Sequence, residues 1–403
     1  MSERAGEGVV TGPLHGVRVL DLSRILAGPT CTQTLGDLGA DVVKVERPGL
    51  GDDTRGWGPP VVHDSAGERT SLSAYYLAAN RNKRSIAVDL ATPEGAALVR
   101  RLASKADVLV ENFKVGDLAR HGLDYASLSA IAPHLVYCSI TGFGQTGPRA
   151  GEAGYDFVAQ AMGGVMSLTG EPDGAPTKVG VGVADVVCGL YATIGILAAL
   201  NEARASGRGQ HVDVALYDAQ LSWLINAATA TFLTSHDPVR RGNAHPSIVP
   251  YETFDTSDGT LALAVGNDAQ FARLVEALGR PELAADARFA TNAGRVIHRD
   301  VLVPELRSLF RNGTTARWID ALIRVGVPAG PVRGVADAFA DPQAIARGMR
   351  VELPSAVSAS GLVSLIGSPL KLSRTPVTYR RAPPTVGADE RGVLADWLEV
   401  EAP

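Results

Sequence analysis

The chain has 403 residues, 45% of them hydrophobic and 20% charged, with a net charge of −5. This size and balance predict a soluble protein of two domains with a sizeable core, and the negative charge argues against a broad nucleic-acid surface while leaving room for a local basic pocket for a small anion. Three cysteines, Cys31, Cys138 and Cys188, form no CxxC pair and are odd in number, which argues against a disulfide framework or zinc site and fits a reducing, cytoplasmic location.

Residues 1–12 have no apolar core and no cleavage pattern, and read as a loose tail. VRVLDL (17–22) predicts a strand. Ala27-Gly28-Pro29 opens a helix running to Leu38, with Pro29 suited to the first helical position, and DVVKVE (41–46) predicts the next strand. Strand, helix and strand in that order begin a parallel α/β sheet. The N–H groups near Pro29 would favour an anion or a polar acyl group. A polar, Gly/Pro-rich segment follows Arg47-Pro48-Gly49 and runs to about Arg69. Arg81, Lys83 and Arg84 precede a strand over 85–90; such a cluster is usually solvated, with phosphate binding as the alternative.

Thr92 caps an amphipathic helix over 92–106, with Pro93 and Glu94 in its first turn. A strand over 107–111 ends in Asn112-Phe113, and Arg120 falls in the helix that follows. Another strand (134–141) leads into GFGQTG (142–147). The motif matches G-x-G-x-x-G, but Pro148, Arg149 and Gly151 follow it, so no helix opens and a dinucleotide site is not expected. A loop whose backbone comes close to a ligand is the better reading.

Residues 154–180 read GYDFVAQAMGGVMSLTGEPDGAPTKVG. Phe157, Val158, Ala161 and Met162 recur at helical spacing and predict a short buried helix. Pro172-Asp173-Gly174 is a turn signal. A carboxylate at its tip has no neighbouring side chain to block approach, which suits a nucleophile meeting a bulky substrate. A plain solvent turn is the commoner meaning of Asp-Gly.

Residues 182–205 predict a long buried helix with Asp185 near its start, where a carboxylate stabilises the helix dipole. Its apolar run, 186–200, reads as too short to span a bilayer. A strand over 211–216 and a helix over 218–233 follow, and the polar segment 234–250 reads as a domain linker. A hairpin around Asp258-Gly259 and helices at 269–278, 298–310 and 315–325 predict a small α+β domain. VPAGPV (327–332) reads as the return from it, before short strands around 349–353 and 362–373 and a final helix at 390–398.

Several segments taken together resemble one family. They are VLDLSRILAGPTCTQTLGDLGADVVKVERPGLGDDTRGWGP, NRNKRSIAVDL, VENFKVGDLARHGLDY, SITGFGQTGP, GYDFVAQAMGG with its EPDG turn, and GILAALNEARASGRGQHVDVALYDA. They are similar to the class III CoA-transferases, the CaiB/BaiF family, in the same order along nearly the whole chain. The resemblance implies an α/β fold: a Rossmann-like large domain from both chain ends (1–225 and 331–403), a smaller α+β domain with linkers (226–330), and an interlocked homodimer. It implies Asp173 as the nucleophile. An exposed aspartate, with a pKa of about 3.9, is ionised at neutral pH. It would attack an acyl-CoA thioester to give a mixed anhydride and CoA thiolate; the thiolate would return to give an aspartyl-CoA thioester and release the carboxylate. An acceptor carboxylate would run the sequence in reverse.

The resemblance further implies no permanently bound cofactor and no metal, with CoA and acyl-CoA as substrates. The partners it implies are an acyl-CoA and a small carboxylic acid, with neither nucleic acid nor membrane. Arg47 matches the position contacting the nucleotide part of CoA, Val88 and Leu90 those near adenine, and Asn112, Phe113 and Arg120 those holding pantetheine and phosphates. Strand-end packing and surface ion pairs are the structural alternatives. Backbone N–H groups in 142–147 and 163–164 are candidates for stabilising tetrahedral oxyanions.

Two departures stand out: Thr141 replaces a lysine of the formyl-CoA enzyme, and a glycine-run lid has no counterpart. In its place RRGNAHPSIVPYETF (240–254) resembles members acting on succinyl-CoA and related dicarboxylates, with Arg240, Arg241 or His245 to meet a distal carboxylate or to serve as linker-surface cations. The expected reaction is CoA transfer from a dicarboxylyl-CoA to a carboxylic acid. Two alternatives remain. An α-methylacyl-CoA racemase-like enzyme would match Asp185, but Gly154-Tyr155-Asp156 puts a tyrosine, a poor base with a pKa of about 10, where that enzyme has histidine. A non-catalytic CoA-binding protein would have no need of the Asp173 turn.

Overall fold

Short Val- and Leu-rich runs that alternate with helices need cover on both faces, and a parallel sheet between two helical layers supplies it. The computed structural model describes residues 12–400, so all of the tail expected over 1–12 except Gly12 lies outside the described residues. In chain order the first strands are β1 (Arg18–Asp21), β2 (Asp41–Glu46), β3 (Val61–His63), β4 (Arg69–Ser73), β5 (Lys83–Ala87), β6 (Val108–Glu111), β7 (Val136–Thr141) and β8 (His211–Ala215). Six of them form one sheet in the order β5-β2-β1-β6-β7-β8, every pair parallel. The order reverses between β1 and β6, so the strand ends splay apart there and leave a crevice for a ligand. The remaining pair, β3 and β4, is an antiparallel hairpin that begins inside the polar, Gly/Pro-rich segment and runs just past it.

Alternate residues of each strand serve opposite layers. Val19, Val42, Val108 and Val136 pack towards helices Ala27–Asp37 and Val183–Ser206. Leu20, Val43, Leu109 and Tyr137 pack towards helices Pro93–Ala103 and Glu390–Leu398. The Thr92 side chain accepts from the Gly95 N–H, capping the third of these as its sequence foretold. The helix Val183–Ser206 is 24 residues, longer than the apolar run within it, and by length and composition it could cross a bilayer. Length therefore does not decide its place. Its buried stripe of Cys188, Ala192, Ile196 and Ala199 does, because it sits in the sheet's own core. Gly189 makes that contact possible: a Cβ there would lie 2.5 Å from the Ala27 carbonyl oxygen.

The chain forms two compact units. The first takes residues up to 165, 178–228 and 342 onwards; the second takes 166–177 and 229–341. The Asp173 turn thus belongs with the second unit, not within an unbroken 1–225 segment. In the second unit β9 (Tyr251–Asp255), β10 (Thr260–Ala264) and β11 (Ala329–Pro331) form an antiparallel sheet in the order β11-β10-β9. Its core gathers Phe254, Leu263, Phe271, Phe310 and Trp318. VPAGPV is therefore not the return segment: it supplies β11. In the first unit the last strands, β12 (Arg350–Pro354) and β13 (Leu362–Ile366), form a hairpin. The chain end is then stitched to β5, where the Asn82 amide donates to the Thr378 carbonyl (2.7 Å) and accepts from the Arg380 N–H (2.7 Å).

Two helices differ from expectation. The one predicted over 218–233 breaks into Leu216–Ser222 and Ile225–Thr234, with Ile225 at φ 40°. Helix Asp156–Met162 forms where predicted but turns Phe157, which is 56% exposed, outward along with Val158 and Met162. Buried instead are Ala159 and Gln160, whose amide donates to Asp156 (2.7 Å) and accepts from the Val179 N–H (2.8 Å). Polar pairing, not the apolar stripe, sets the face of this short helix. Gly189→Ala is expected to wedge the Ala27–Asp37 and Val183–Ser206 helices apart and to lower unfolding stability by about 1–3 kcal/mol in urea titrations.

Candidate active site

Beneath the crevice the strands end in buried charges. Asp21, at the end of β1, accepts from Thr32 Oγ1 (2.7 Å) and the Ser23 N–H (2.9 Å) and pairs with Lys83 Nζ (3.1 Å). Lys44 of β2 pairs with Asp52 (2.9 Å) and donates to the Ser23 carbonyl (2.7 Å). Glu46 takes a two-pronged grip from Arg55 (2.8 and 2.7 Å) and a bond from Ser85 Oγ (2.7 Å). Asp52 also accepts from the Thr54 N–H (3.0 Å) and the Ile25 N–H (3.3 Å). Burial raises the Asp52 carboxyl, but the Lys44 charge and the Thr54 N–H outweigh it and hold the group at about 2. For Lys83 burial wins over the attraction of Asp21 and brings the amine down to about 8.

The cations Arg81, Lys83 and Arg84 are thus neither solvated nor free for phosphate. They are 4%, 1% and 7% exposed, and each is paired: Arg81 with Asp37, Lys83 with Asp21, and Arg84 with Asp41 and Asp396. No local pattern announces this, because every carboxylate partner lies on another element.

Two clefts open at the crevice, the first over Lys44, Glu46 and Asp52. Arg47, Val88, Leu90, Phe113 and Arg120 line the first, of about 270 Å³. They come from the segments that follow β2, β5 and β6, so the sheet's reversal brings them together. Among the described residues the exposed Arg47 has no ion-pair partner, while Arg120 lies 3.4 Å from Asp117 and does not sit in a regular α-helix but in the short turn Ala119–His121. Val88 is also a core residue, so its packing role is real whatever it binds.

Asn112 lines a second cleft, of about 600 Å³, which shares Arg24 and Phe113 with the first. Its amide accepts from the Arg24 N–H (2.9 Å) and donates to the Arg24 carbonyl (2.7 Å), so it shapes the 24–26 loop. Arg24 itself pairs with Asp53 (2.7 Å) and lies 5.7 Å from the Phe113 ring centroid. Sequence reasoning missed this cation; its place after Asp21 carries no signal without the fold.

Thr141 and Gly142 also line the second cleft. Thr141 Oγ1 accepts from the Gly144 N–H (2.9 Å), and the Gln145 N–H donates to Asp213 (2.9 Å). Two of the loop N–H groups expected to meet an oxyanion are therefore already used. Asp185 faces this cleft too, and burial together with the neighbouring Asp156 pushes its carboxyl up to about 7. Asp156 accepts from the Ala184 N–H (2.8 Å) and so caps the long helix. Asp185 thus has a second carboxylate beside it where a racemase would need a basic partner, and Tyr155 is 61% exposed. Glu111, pushed by burial up to about 7, accepts from the Phe113 N–H (2.7 Å).

In the second unit Asp173 is exposed on a turn closed by the Gly174 N–H to Glu171 carbonyl bond (3.0 Å). Gly170, at φ 119°, admits the chain into that turn in a backbone shape that few other residues tolerate. Arg240 donates to the Gly174 carbonyl (2.7 Å) and the Glu171 carbonyl (3.3 Å). His245 Nδ1 accepts from the Ser247 N–H (3.1 Å), and its ring lies against Tyr251. Of the three side chains considered for a distal carboxylate, Arg241 alone has no hydrogen bond or ion pair among the described residues.

The first unit thus has a crevice at a sheet reversal with cations beside it, and the second an exposed acidic turn. Residues 14–390 match the family described as CoA-transferase family III. A succinate–glutarate CoA-transferase of Agrobacterium fabrum is 50% identical over 394 residues, 96% of each chain. A succinyl-CoA:glutarate CoA-transferase of Mus musculus is 42% identical over 96% of this chain and 87% of its own. A crystal structure of a CaiB/BaiF family protein from Brucella suis superposes with a TM-score of 0.85 at 48% identity, covering 96% of this chain and 100% of that one. The chain belongs to CoA-transferase family III and is an enzyme of CoA transfer.

Lys44→Met leaves Asp52 buried without its cation, and stability at pH 7 is expected to fall by about 3–5 kcal/mol. Asp52 is held at about 2 against an ordinary 3.8, so its contribution is complete above pH 3.8 and is lost as pH falls towards 2. Denaturant titrations should therefore show the gap between wild type and variant closing across that window.

Proposed function

We propose that the enzyme moves CoA from a dicarboxylyl-CoA, succinyl-CoA first among them, to a carboxylic acid acceptor, through a thioester on Asp173. The observation that carries the CoA part is the convergence of Arg47, Val88, Leu90, Phe113 and Arg120 on one cleft. An apolar wall from Val88 and Leu90 suits adenine, and Arg47 and Arg120, planar forks of N–H donors that still meet water, suit phosphates. Asn112 acts on the ligand through the Arg24 loop that it holds. The named activities of the Agrobacterium and mouse relatives support succinate and glutarate as the acids to try first.

In the first step an Asp173 oxygen bonds to the thioester carbon and the C–S bond breaks, leaving a mixed anhydride and CoA thiolate. The thiolate attacks the anhydride at the aspartyl carbonyl, and the donor's carboxylate departs with the bridging oxygen. The acceptor carboxylate repeats both steps in reverse. One thioester replaces another, so the exchange needs no outside energy source, and splitting it lowers each barrier. Arg241, exposed and uncommitted, is the cation we assign to a distal carboxylate.

We also propose that the protein is a homodimer, interlocked as the family resemblance implies, and acts in the cytoplasm. Along the long helix of the first unit Leu190, Tyr191 and Ile194 are 47%, 45% and 60% exposed, and Leu221 and Trp223 are exposed on and just after helix Leu216–Ser222, which packs against it. That much apolar surface supports cover by a second copy. Buried free thiols at Cys31, Cys138 and Cys188 suit a reducing compartment.

A screen of acyl-CoA donors against carboxylate acceptors should give highest turnover with succinyl-CoA and a five-carbon dicarboxylate. Asp173→Ala should lose roughly 10³-fold or more of it. Undiminished transfer by that variant would end the mechanism. Light scattering after size-exclusion chromatography should give twice the 42.0 kDa chain mass; a monomer at micromolar concentration would refute the dimer.

A further inference from the structure

The turn that presents Asp173 has little of its own to hold it. Glu171 and Asp173 are exposed, and one backbone bond closes the bend. The Thr177 N–H ties back to the Thr169 carbonyl (3.1 Å), and a separate segment adds more. The Arg240 guanidinium reaches both ends of the bend, with Nη2 to the Gly174 carbonyl at 2.7 Å and Nε to the Glu171 carbonyl at 3.3 Å. Two residues on, the Gly242 N–H donates to the Gly170 carbonyl (3.0 Å). Gly242 has φ 58°, and a Cβ there would lie 3.1 Å from the Glu171 carboxylate. Segments 170–174 and 240–242 are thus sewn together at three points inside the second unit.

We propose that Arg240 is a positioning residue for the nucleophile: its guanidinium spans the Glu171–Gly174 bend and, through that backbone, sets the direction of the Asp173 carboxylate. The inference rests on the Asp173 reading above. Its logic is geometric. Arg240 spends its donors on carbonyl oxygens on either side of Asp173, with no ion pair to the carboxylate itself among the described residues. The nucleophile's lone pairs stay open while its backbone is fixed. A planar group with several N–H donors can bridge two carbonyls in this way, whereas an ammonium on a flexible stem cannot hold both in one plane. Misplacement of a reacting group by about 1 Å costs roughly 10²-fold in rate.

The test is single-turnover formation of the Asp173 adduct with succinyl-CoA, trapped with hydroxylamine and read by peptide mass spectrometry. It is run on the full-length wild type, Arg240→Lys, Arg240→Ala, Gly242→Ala and Asp173→Ala. Adduct formation should slow by about 10-fold in Arg240→Lys and about 10²-fold in Arg240→Ala. Acyl-CoA affinity should stay within about twofold, since Arg240 does not line the CoA cleft. Millimolar guanidinium should restore part of the Arg240→Ala rate. Gly242→Ala, which strains the left-handed backbone whose N–H holds the Gly170 carbonyl, should slow the same step even if Arg240→Ala does not fold. A wild-type adduct rate in Arg240→Lys or Arg240→Ala overturns the proposal, as does a loss confined to acyl-CoA affinity. The Asp173 reading fails separately, if Asp173→Ala still turns over or the label sits on another residue.

Discussion

Charges held out of water at the end of β1, within and at the end of β2, and at the start of β5 are the constraint on which the first unit depends. Asp21, Lys44, Glu46 and Lys83 are all but inaccessible, and a lone buried charge costs several kcal/mol. The fold bears that cost only because each has an opposite charge and further hydrogen bonds within reach. The partners are not idle. Lys44 holds Ser23 and Asp52 at once, and Asp52 holds Ile25 and Thr54. The loop after β1 and the turn after β2 are therefore pinned to one another, and the two clefts open over that pinned floor.

The two units differ in physical character. The first is a rigid parallel sheet with cations placed around a reversal of strand order, which suits a large anionic ligand bound by many weak contacts. The second offers a short acidic bend, tied by backbone bonds to the 240–242 segment and left uncovered. That exposure leaves the Asp173 carboxylate open to approach.

Local pattern was enough for much of this. Strands β1, β2, β6, β7 and β8 and the helix capped by Thr92 follow from alternation, breakers and caps, each a matter of a few adjacent residues. What escaped notice depends on distant partners. Arg81, Lys83 and Arg84 look like a surface run, because Asp37, Asp21 and Asp41 meet them only in the fold. The outward turn of Phe157 follows from Gln160 finding Asp156 and Val179, and VPAGPV became a strand because β10 lay beside it. At the candidate site the CoA-binding positions named through the resemblance line adjoining clefts of the first unit, Asp173 sits on an exposed turn of the second, and Arg24 had no signal of its own. Asn112 reads differently with the fold in hand, since its amide is committed to the Arg24 backbone.

The central claim is that the crevice above the buried charges is where CoA binds. A crystal structure with CoA bound tests it most directly. The account predicts adenine against Val88 and Leu90, phosphates within reach of Arg47 and Arg120, and the Lys44–Asp52 and Lys83–Asp21 pairs intact beneath. CoA seated elsewhere with that cleft left open, or those pairs broken to meet its phosphates, would contradict it.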